Sequence, residues 1–163
     1  MNQEKATFAA GCFWGVEELI RKIPGVLETE VGYCGGLSAA DAIYQKVKTG
    51  TTGHAESIRV TFDPSVLKYE QLVHSFYKLH DPTTLNQQGN DKGTQYRSVI
   101  FYANDEQKQV AEKVTKTIDQ SGKWKKPIVT EIRPCGEFYS AESYHQDYLQ
   151  KNPGGYTCHF WRE

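Results

Sequence analysis

Cys12 opens the first helical pattern of the sequence and has both the residue type and the position that favour nucleophilic chemistry. A cysteine at a helix N-terminus lies at the positive end of the helix dipole, which favours its thiolate and lowers its pKa from about 8.5. Phe13 and Trp14 follow it directly, and Gly11 and Gly15 flank the run, so other groups can approach the backbone closely. The pattern indicates a nucleophile beside an apolar cage, suited to a small, weakly polar substrate. The alternative is a buried cysteine in an aromatic core.

Three further side chains have the chemistry to act on such a substrate. Glu56 ends the run 53–56 at the mouth of the clearest strand, where burial in a cleft raises the pKa of a carboxyl and makes it a proton donor. Tyr44 lies in the loop before this strand and Tyr96 opens the strand after it, and tyrosine hydroxyls donate hydrogen bonds to a polarised oxygen. The alternatives are a surface position for Glu56 and ordinary packing for the tyrosines.

The four cysteines, Cys12, Cys34, Cys135 and Cys158, are widely spaced along the chain. Structural zinc sites usually take their ligands in closely spaced pairs, so we expect no metal and no other cofactor. In a reducing compartment the spacing indicates transient redox chemistry or plain packing. Cys158 lies in a glycine-rich tail that begins at about residue 152, and a mobile tail lets a resolving cysteine reach a second sulfur. The alternative for Cys158 is an incidental free thiol, and we interpret Cys135 as incidental.

Length and charge narrow the class of protein. The chain of 163 residues is long enough for one domain with one core, so we expect a single catalytic domain over residues 1–163. The net charge is −1 with both signs interspersed, which predicts neither nucleic-acid binding nor attraction to an anionic membrane. No run approaches the roughly 20 apolar residues of a membrane span, and residues 1–5 lack the apolar core of a secretion signal. We therefore expect a cytoplasmic protein.

Hydrophobic periodicity predicts alternating strands and helices. The expected strands cover 5–10, 26–33, 57–62, 96–102 and 128–132, and the expected helices follow residue 12, surround 72–79, and cover 105–121 and 141–151. The polar stretch 80–94 is long for a connection, which is typical of functional or disordered loops. The element order predicts an α+β two-layer sandwich: a mixed sheet with helices packed on it, close to a split βαβ plait.

Six motifs then occur in the order of one known family. They are GCFWG at 11–15, GYCGG at 32–36, GHAE at 53–56, HDPT at 80–83, QGNDKGTQYRS at 88–98 and AESYHQ at 141–146. Along almost its whole length the chain resembles the peptide methionine sulfoxide reductases of the A type.

The resemblance implies a role for each candidate. Cys12 attacks the sulfoxide sulfur, and Glu56 protonates the sulfoxide oxygen. Tyr44 and Tyr96 hydrogen-bond to that oxygen, and Asp91 lines the site. A sulfoxide oxygen is a poor leaving group until it is protonated, so the reaction needs an acid within hydrogen-bond reach.

The resemblance also implies which substrate is bound and what remains after the reaction. Phe13 and Trp14 cage the terminal methyl group, and His54 belongs to the substrate-binding set. The cage fixes which oxygen configuration meets the acid, so the S epimer of methionine sulfoxide, free or in a protein, is the expected substrate. Methionine leaves, and Cys12 remains as a sulfenic acid.

The resemblance also implies how the Cys12 sulfenic acid is returned to a thiol. The tail motif makes Cys158 the expected partner of Cys12 in the first disulfide, with thioredoxin as reductant and the enzyme as a monomer. Cys34 is unusual for the family, which more often has a small residue or threonine there. The thiol of Cys34 is expected either to relay the disulfide or to fill the position.

Three other functions compete with this interpretation. A thiol peroxidase or redox sensor using the same Cys12 and Cys158 shares the sulfenic step, but needs no methyl cage and no paired acid. A cysteine hydrolase would pair Cys12 with His54 or His145 and would require an orienting group and an oxyanion hole. A binding module would function without the thiol.

Overall fold

Eight strands and five helices follow one another in the computed structural model, which describes residues 3–162. The strands are β1 Glu4–Ala10, β2 Val26–Cys34, β3 Ala55–Phe62, β4 Gln87–Gln88, β5 Asp91–Lys92, β6 Ser98–Tyr102, β7 Glu131–Pro134 and β8 Tyr139–Ser140. The helices are α1 Phe13–Ile20, α2 Tyr44–Val47, α3 Tyr69–Leu79, α4 Asp105–Gln120 and α5 Tyr148–Lys151, with 3₁₀ turns at Ala39–Asp41, Thr94–Tyr96 and Ser143–His145.

Six of these strands form one mixed sheet in the order β7-β6-β1-β3-β2-β8. β6 and β7 run parallel, and the other neighbours in this sheet run antiparallel. β3 lies between β1 and β2, the two strands that α1 connects, which is the arrangement of a split βαβ unit. The predicted α+β class, with helices packed on a mixed sheet, is confirmed.

Strand alternation divides the buried side chains between the two faces of the sheet. One face packs against the helices and carries the main core, which includes Phe8, Val31, Ile58 and Ile100. The opposite face, which we call the second face, carries a smaller cluster: Ala9, Cys34, Ala55, Val99 and Phe101. Each large apolar side chain that is fully buried contributes about 1.5–3 kcal/mol to stability, so the helix-facing side supplies most of it.

The helices contribute to this core through one apolar side. α4 is 16 residues long, and its buried residues include Ala111 and Val114. Within residues 3–162, no helix combines the length and the apolar character that crossing a membrane would require.

The predicted helix over 141–151 is wrong, because two tertiary contacts break it. The side-chain amide of Gln146 donates to the backbone oxygen of Val31 at 2.8 Å and accepts from its backbone N–H at 2.9 Å. Asp147 adopts a left-handed conformation with φ +55°, and its N–H donates to Glu17 at 2.8 Å. A 3₁₀ turn and the short α5 therefore replace one continuous helix.

The polar stretch 80–94 is well connected in the structure. It contains the β4–β5 hairpin, and the side-chain amide of Gln88 exchanges hydrogen bonds of 2.9 and 2.7 Å with the backbone of Asp81. Tyr96, expected at a strand start, instead ends a 3₁₀ turn, where Thr94 donates to the backbone oxygen of Gly50 at 2.8 Å. These contacts attach the loop to the segment that follows α2.

Candidate active site

Cys12 lies at the junction of β1 and α1. Gly11 turns the chain with φ +95°, and Cys12 caps the helix with φ −56° and ψ 121°. Its side chain is buried, with 7% of the residue exposed, and the backbone N–H of Trp14 points to its sulfur. The predicted position at a helix start is therefore confirmed.

Glu56 brings a buried carboxyl to the same helix end. It lies on the helix-facing side of β3, opposite Tyr33 in the register, and is only 2% exposed. Its Oε1 accepts the backbone N–H of Phe13 at 3.2 Å. Burial, together with the charge of Asp91, raises the pKa of Glu56 to about 8 although the Phe13 N–H lowers it. At neutral pH Glu56 therefore carries a proton beside Cys12.

The thiol of Cys12 departs from the sequence expectation. Burial raises its pKa most, the charges of Glu56, Asp91 and Cys158 raise it further, and only the Trp14 N–H lowers it. Desolvation of the thiolate thus outweighs the helix N-terminus. The predicted lowered pKa is wrong for this structure, in which Cys12 is a protonated thiol.

Tyr44 and Tyr96 approach Cys12 and Glu56 from two separate segments. Tyr44 is the first residue of α2, and Tyr96 ends its 3₁₀ turn. Burial raises the pKa of both phenols, and the charges of Glu56 and Cys12 raise it further. Both hydroxyls therefore stay protonated and available as hydrogen-bond donors. Glu142 holds α2 in place by accepting the backbone N–H of Tyr44 at 2.9 Å.

An aromatic wall continues from Cys12 along α1. The rings of Phe13, Trp14 and Tyr44 surround His145, with centroid distances of 5.3, 5.7 and 4.4 Å. Trp14 also stacks on Tyr148 at 3.8 Å with an interplanar angle of 9°. The wall is apolar and suits a methyl group, as the predicted cage requires.

His145 is a site residue whose place the sequence did not reveal. Its Nδ1 accepts the indole N–H of Trp14 at 2.9 Å. Its Nε2 is buried without a hydrogen-bond partner among residues 3–162. Burial lowers the pKa of His145, so the ring is neutral and carries its proton on Nε2. The sequence signal is the motif 141–146, which belongs to the family pattern but assigns His145 no role beyond that of a candidate partner of Cys12 in a hydrolase.

The tail brings Cys158 to the same site. Cys158 Sγ lies 3.8 Å from Asp91 Oδ2 and 3.9 Å from the backbone oxygen of Gln88. The next residue, His159, is buried and donates from Nε2 to the backbone oxygen of Ala10 at 2.6 Å. Burial lowers the pKa of His159 to about 4, so this anchor is uncharged. The tail is therefore docked against the β1–α1 junction in the reduced protein.

Cys34 lies elsewhere, and this contradicts the first of its two expected roles, relay of the disulfide, and agrees with the second, a thiol that fills the position. Tyr33 points to the helix-facing side, so strand alternation directs Cys34 to the second face. Cys34 is 0% exposed and contacts Cys135, not the Cys12 site. The sheet separates it from Cys12, so it cannot receive the Cys12 disulfide without unfolding of this region.

His54 is also placed differently from its predicted role in substrate binding. Its Nδ1 accepts the backbone N–H of Gly36 at 3.1 Å, and its Nε2 donates to the backbone oxygen of Ser38 at 2.8 Å. Both ring nitrogens are thereby used to hold the loop after β2. We correct its role to support of this loop.

Comparison with known proteins agrees with this geometry. The family model described as peptide methionine sulfoxide reductase matches residues 4–163. A curated relative, peptide methionine sulfoxide reductase MsrA 1 of Mesorhizobium japonicum, is 53% identical over 161 residues, which cover 99% of this chain and 91% of the relative.

Solved structures extend the likeness to the fold. Mxr1 of Saccharomyces cerevisiae in reduced form has a TM-score of 0.93 and 40% identity, covering 99% of this chain and 93% of that one. Mxr1 in complex with Trx2 has a TM-score of 0.67 and 26% identity, covering 99% and 91%. A match over nearly the full length, in sequence and in fold, leads to one conclusion: the chain belongs to the peptide methionine sulfoxide reductase family.

Proposed function

We propose that the protein reduces the S epimer of methionine sulfoxide, free or in proteins, with Cys12 as nucleophile and Glu56 as acid. Reduction of methionine sulfoxide is the reaction for which the family and its curated members are named, and the protein is an oxidoreductase of this family. The observation that carries the residue assignment is the protonated Glu56 carboxyl, held by the Phe13 N–H at the helix end that bears Cys12.

The first step transfers oxygen from substrate to enzyme. Cys12 sulfur attacks the sulfoxide sulfur while Glu56 protonates the sulfoxide oxygen, and Tyr44 and Tyr96 donate hydrogen bonds to it. The thiol proton of Cys12 restores Glu56 to its acid form. The protonated oxygen then passes from the substrate sulfur to the Cys12 sulfur, the bond between the two sulfurs breaks, and methionine departs, leaving Cys12 as a sulfenic acid, so atoms and electrons balance.

The second step returns Cys12 to a thiol. Cys158 attacks the sulfenic sulfur, a disulfide forms and water leaves. The contacts of Cys158 with Asp91 and Gln88 support this role, because they hold its sulfur at the site before the first step. Thioredoxin is the proposed reductant of the disulfide, and the Mxr1 complex with Trx2 supports this choice. We expect the enzyme to act as a monomer in the cytoplasm.

The aromatic wall and Glu56 together support the selection of a single epimer, which the family resemblance identifies as S. A methyl group against Phe13 and Trp14 leaves two tetrahedral orientations for the oxygen and the rest of the substrate, and Glu56 lies on one side only. We test this with separated R and S epimers of a methionine sulfoxide peptide, with dithiothreitol as reductant. Methionine formed from the S epimer alone supports the proposal, and turnover of the R epimer at a similar rate overturns the orientation.

The acid role of Glu56 separates this proposal from the thiol peroxidase. Glu56→Gln keeps the shape but removes the proton, so sulfoxide reduction should fall about 10²–10⁴-fold while Cys12 still reacts with hydrogen peroxide. Glu112→Gln, on the exposed side of α4, is the matched control and should change neither rate. Equal losses of both activities in Glu56→Gln would contradict the acid assignment.

A further inference from the structure

The second face of the sheet holds a pair of thiols remote from Cys12. Cys34 ends β2 and packs in the second-face cluster, and Cys135 packs against the same cluster from the segment that follows β7. This segment, residues 135–138, connects β7 to β8 across that face, and the Cys135 N–H donates to the backbone oxygen of Tyr102 at 2.8 Å. Both thiols are reduced, and the two side chains meet in the second-face cluster, where the Cys135 thiol also donates to the backbone oxygen of Gly136 at 3.6 Å.

The two thiols differ in burial and in charge. Cys34 is fully buried, and its pKa is raised by its interaction with Cys135 and by desolvation. Cys135 is half-buried, and its pKa is lowered chiefly by its interaction with Cys34, helped by Thr7 and Arg59 and opposed by burial and Glu137. Cys135 is thus the more accessible thiol of the pair and the one whose ionisation is favoured, with the buried Cys34 thiol behind it.

Side chains of both charge signs surround the two thiols, and they come from every element packed against the pair. The charged and titratable side chains on this face include Lys5 of β1, Glu28 and Glu30 of β2, Arg59 of β3, Arg97 before β6, Glu131 and Arg133 of β7, Glu137 of the connecting segment, His54 before β3 and Tyr139 of β8. Arg59 pairs with Glu30 at 2.5 Å, and Arg97 pairs with Glu131 at 2.9 Å.

We propose that Cys34 and Cys135 form a second redox site, which reacts with hydroperoxides and closes to a disulfide independently of Cys12 and Cys158. Cys135 is the attacking sulfur because it is the accessible one. Cys34 is the resolving sulfur because it is already in contact with it. The disulfide connects the end of β2 to the segment that follows β7.

The chemistry balances with hydrogen peroxide as the oxidant. The Cys135 thiolate attacks one peroxide oxygen, the O–O bond breaks, and hydroxide leaves and takes up a proton to become water. The Cys34 sulfur then attacks the sulfenic sulfur of Cys135, an S–S bond forms, and the second oxygen leaves as water with the Cys34 proton. Two thiols lose two electrons and two protons, and one peroxide becomes two waters.

The test uses the full chain with Cys12→Ser and Cys158→Ser, which leaves the second pair as the remaining cysteines. We titrate it with hydrogen peroxide at pH 7, alkylate the remaining thiols and map the peptides without reduction. We expect both thiols to disappear together, one peptide linking Cys34 to Cys135, and full recovery with dithiothreitol. Disulfide-linked dimers, or loss of Cys135 alone to a sulfinic acid, overturn the proposal.

Two single changes in this background assign the roles. With Cys34→Ala, the sulfenic acid of Cys135 should accumulate and react with dimedone, and the pH midpoint of Cys135 alkylation should rise towards the ordinary value of about 8.5. With Cys135→Ser, the oxidation of Cys34 should slow at least tenfold. Circular dichroism verifies folding, and an unchanged midpoint in Cys34→Ala contradicts the interaction between the two thiols.

The outcome of the disulfide test does not depend on the proposed reduction of methionine sulfoxide. In the otherwise unchanged chain, Cys135→Ser should reduce methionine sulfoxide at the unaltered rate, because Cys135 lies outside the Cys12 site. A failed disulfide therefore leaves the reductase proposal intact, and a failed reductase assay leaves the second redox site intact. A tenfold loss of sulfoxide reduction in Cys135→Ser would show that the two sites are not independent.

Discussion

At the scale of residues, the candidate site is an arrangement of acids that burial keeps protonated. Glu56, Tyr44, Tyr96 and Cys12 all have pKa values raised chiefly by desolvation, and each charge that formed would raise the others. The site thus favours the neutral state, in which these neighbouring acidic groups all hold their protons. An oxygen that must be protonated before it leaves is chemically suited to it.

The pH dependence of the reaction follows from Glu56. Its pKa is about 8, and the protonated form is the active acid, so the single-turnover rate should fall as the pH rises through about 8. The measurement is methionine formed in one turnover from pH 5 to 10. Glu56→Gln should lose this transition, and a rate that rises through pH 8 would instead make ionisation of Cys12 limiting.

His145 is predicted to position the aromatic wall. His145→Ala removes the ring that Phe13, Trp14 and Tyr44 contact and the acceptor of the Trp14 N–H, so the substrate KM should rise about tenfold (about 1.4 kcal/mol). The single-turnover rate at saturating substrate should stay within threefold. His74→Ala, on α3, is the control, and an unchanged KM in His145→Ala would remove this role.

At the scale of elements, the start of α1 and the tail are built to fit each other. Gly15 is helical, and a Cβ at this position would overlap Thr157 Oγ1 and the ring of His159. Because Gly15 has no side chain, the tail can pack against α1. This packing holds Cys158 near Asp91. Helix propensity alone would favour alanine here by about 1 kcal/mol.

Gly15→Ala should therefore separate the two steps of catalysis. Formation of methionine in the first turnover should remain within a few fold of the unaltered protein, while formation of the Cys12–Cys158 disulfide should slow at least tenfold because the tail is displaced. Gly154→Ala, where a Cβ meets no other atom within 4 Å, is the matched control in the same tail. Rapid quenching with alkylation measures the disulfide, and an equal rate in both variants contradicts the docking argument.

At the scale of the whole molecule, keeping Glu56 protonated costs stability. The unfolded chain releases the Glu56 proton near pH 4.5, whereas the folded protein holds it up to about pH 8. Between these values the unfolded state binds fewer protons, so stability falls as the pH rises, by at most about 1.4 kcal/mol per pH unit. Glu56→Gln should remove this slope and be more stable than the parent at pH 8. Urea unfolding from pH 5 to 8 measures it, with Glu112→Gln retaining the parent slope.

The sequence by itself determined the fold class and most members of the site. Alternation and helical periodicity are local signals, so β1, α1 and β3 could be predicted with small errors at their ends. Cys12, Glu56 and Tyr96 stand in short motifs whose spacing is itself local, and Tyr44 lies in the loop between two of these motifs. These motifs also indicated the family of the protein, and the comparisons confirmed it.

Tertiary structure decided what depends on contacts between distant segments. Burial is a property of the folded chain, and it keeps the Cys12 thiol protonated although the helix dipole favours the thiolate. Strand alternation directed Cys34 away from Cys12, and the crossing of the segment after β7 brought Cys135 to it. The bonds of Gln146 and Asp147 broke the last helix, because specific hydrogen bonds to β2 and α1 outweigh a weak local propensity.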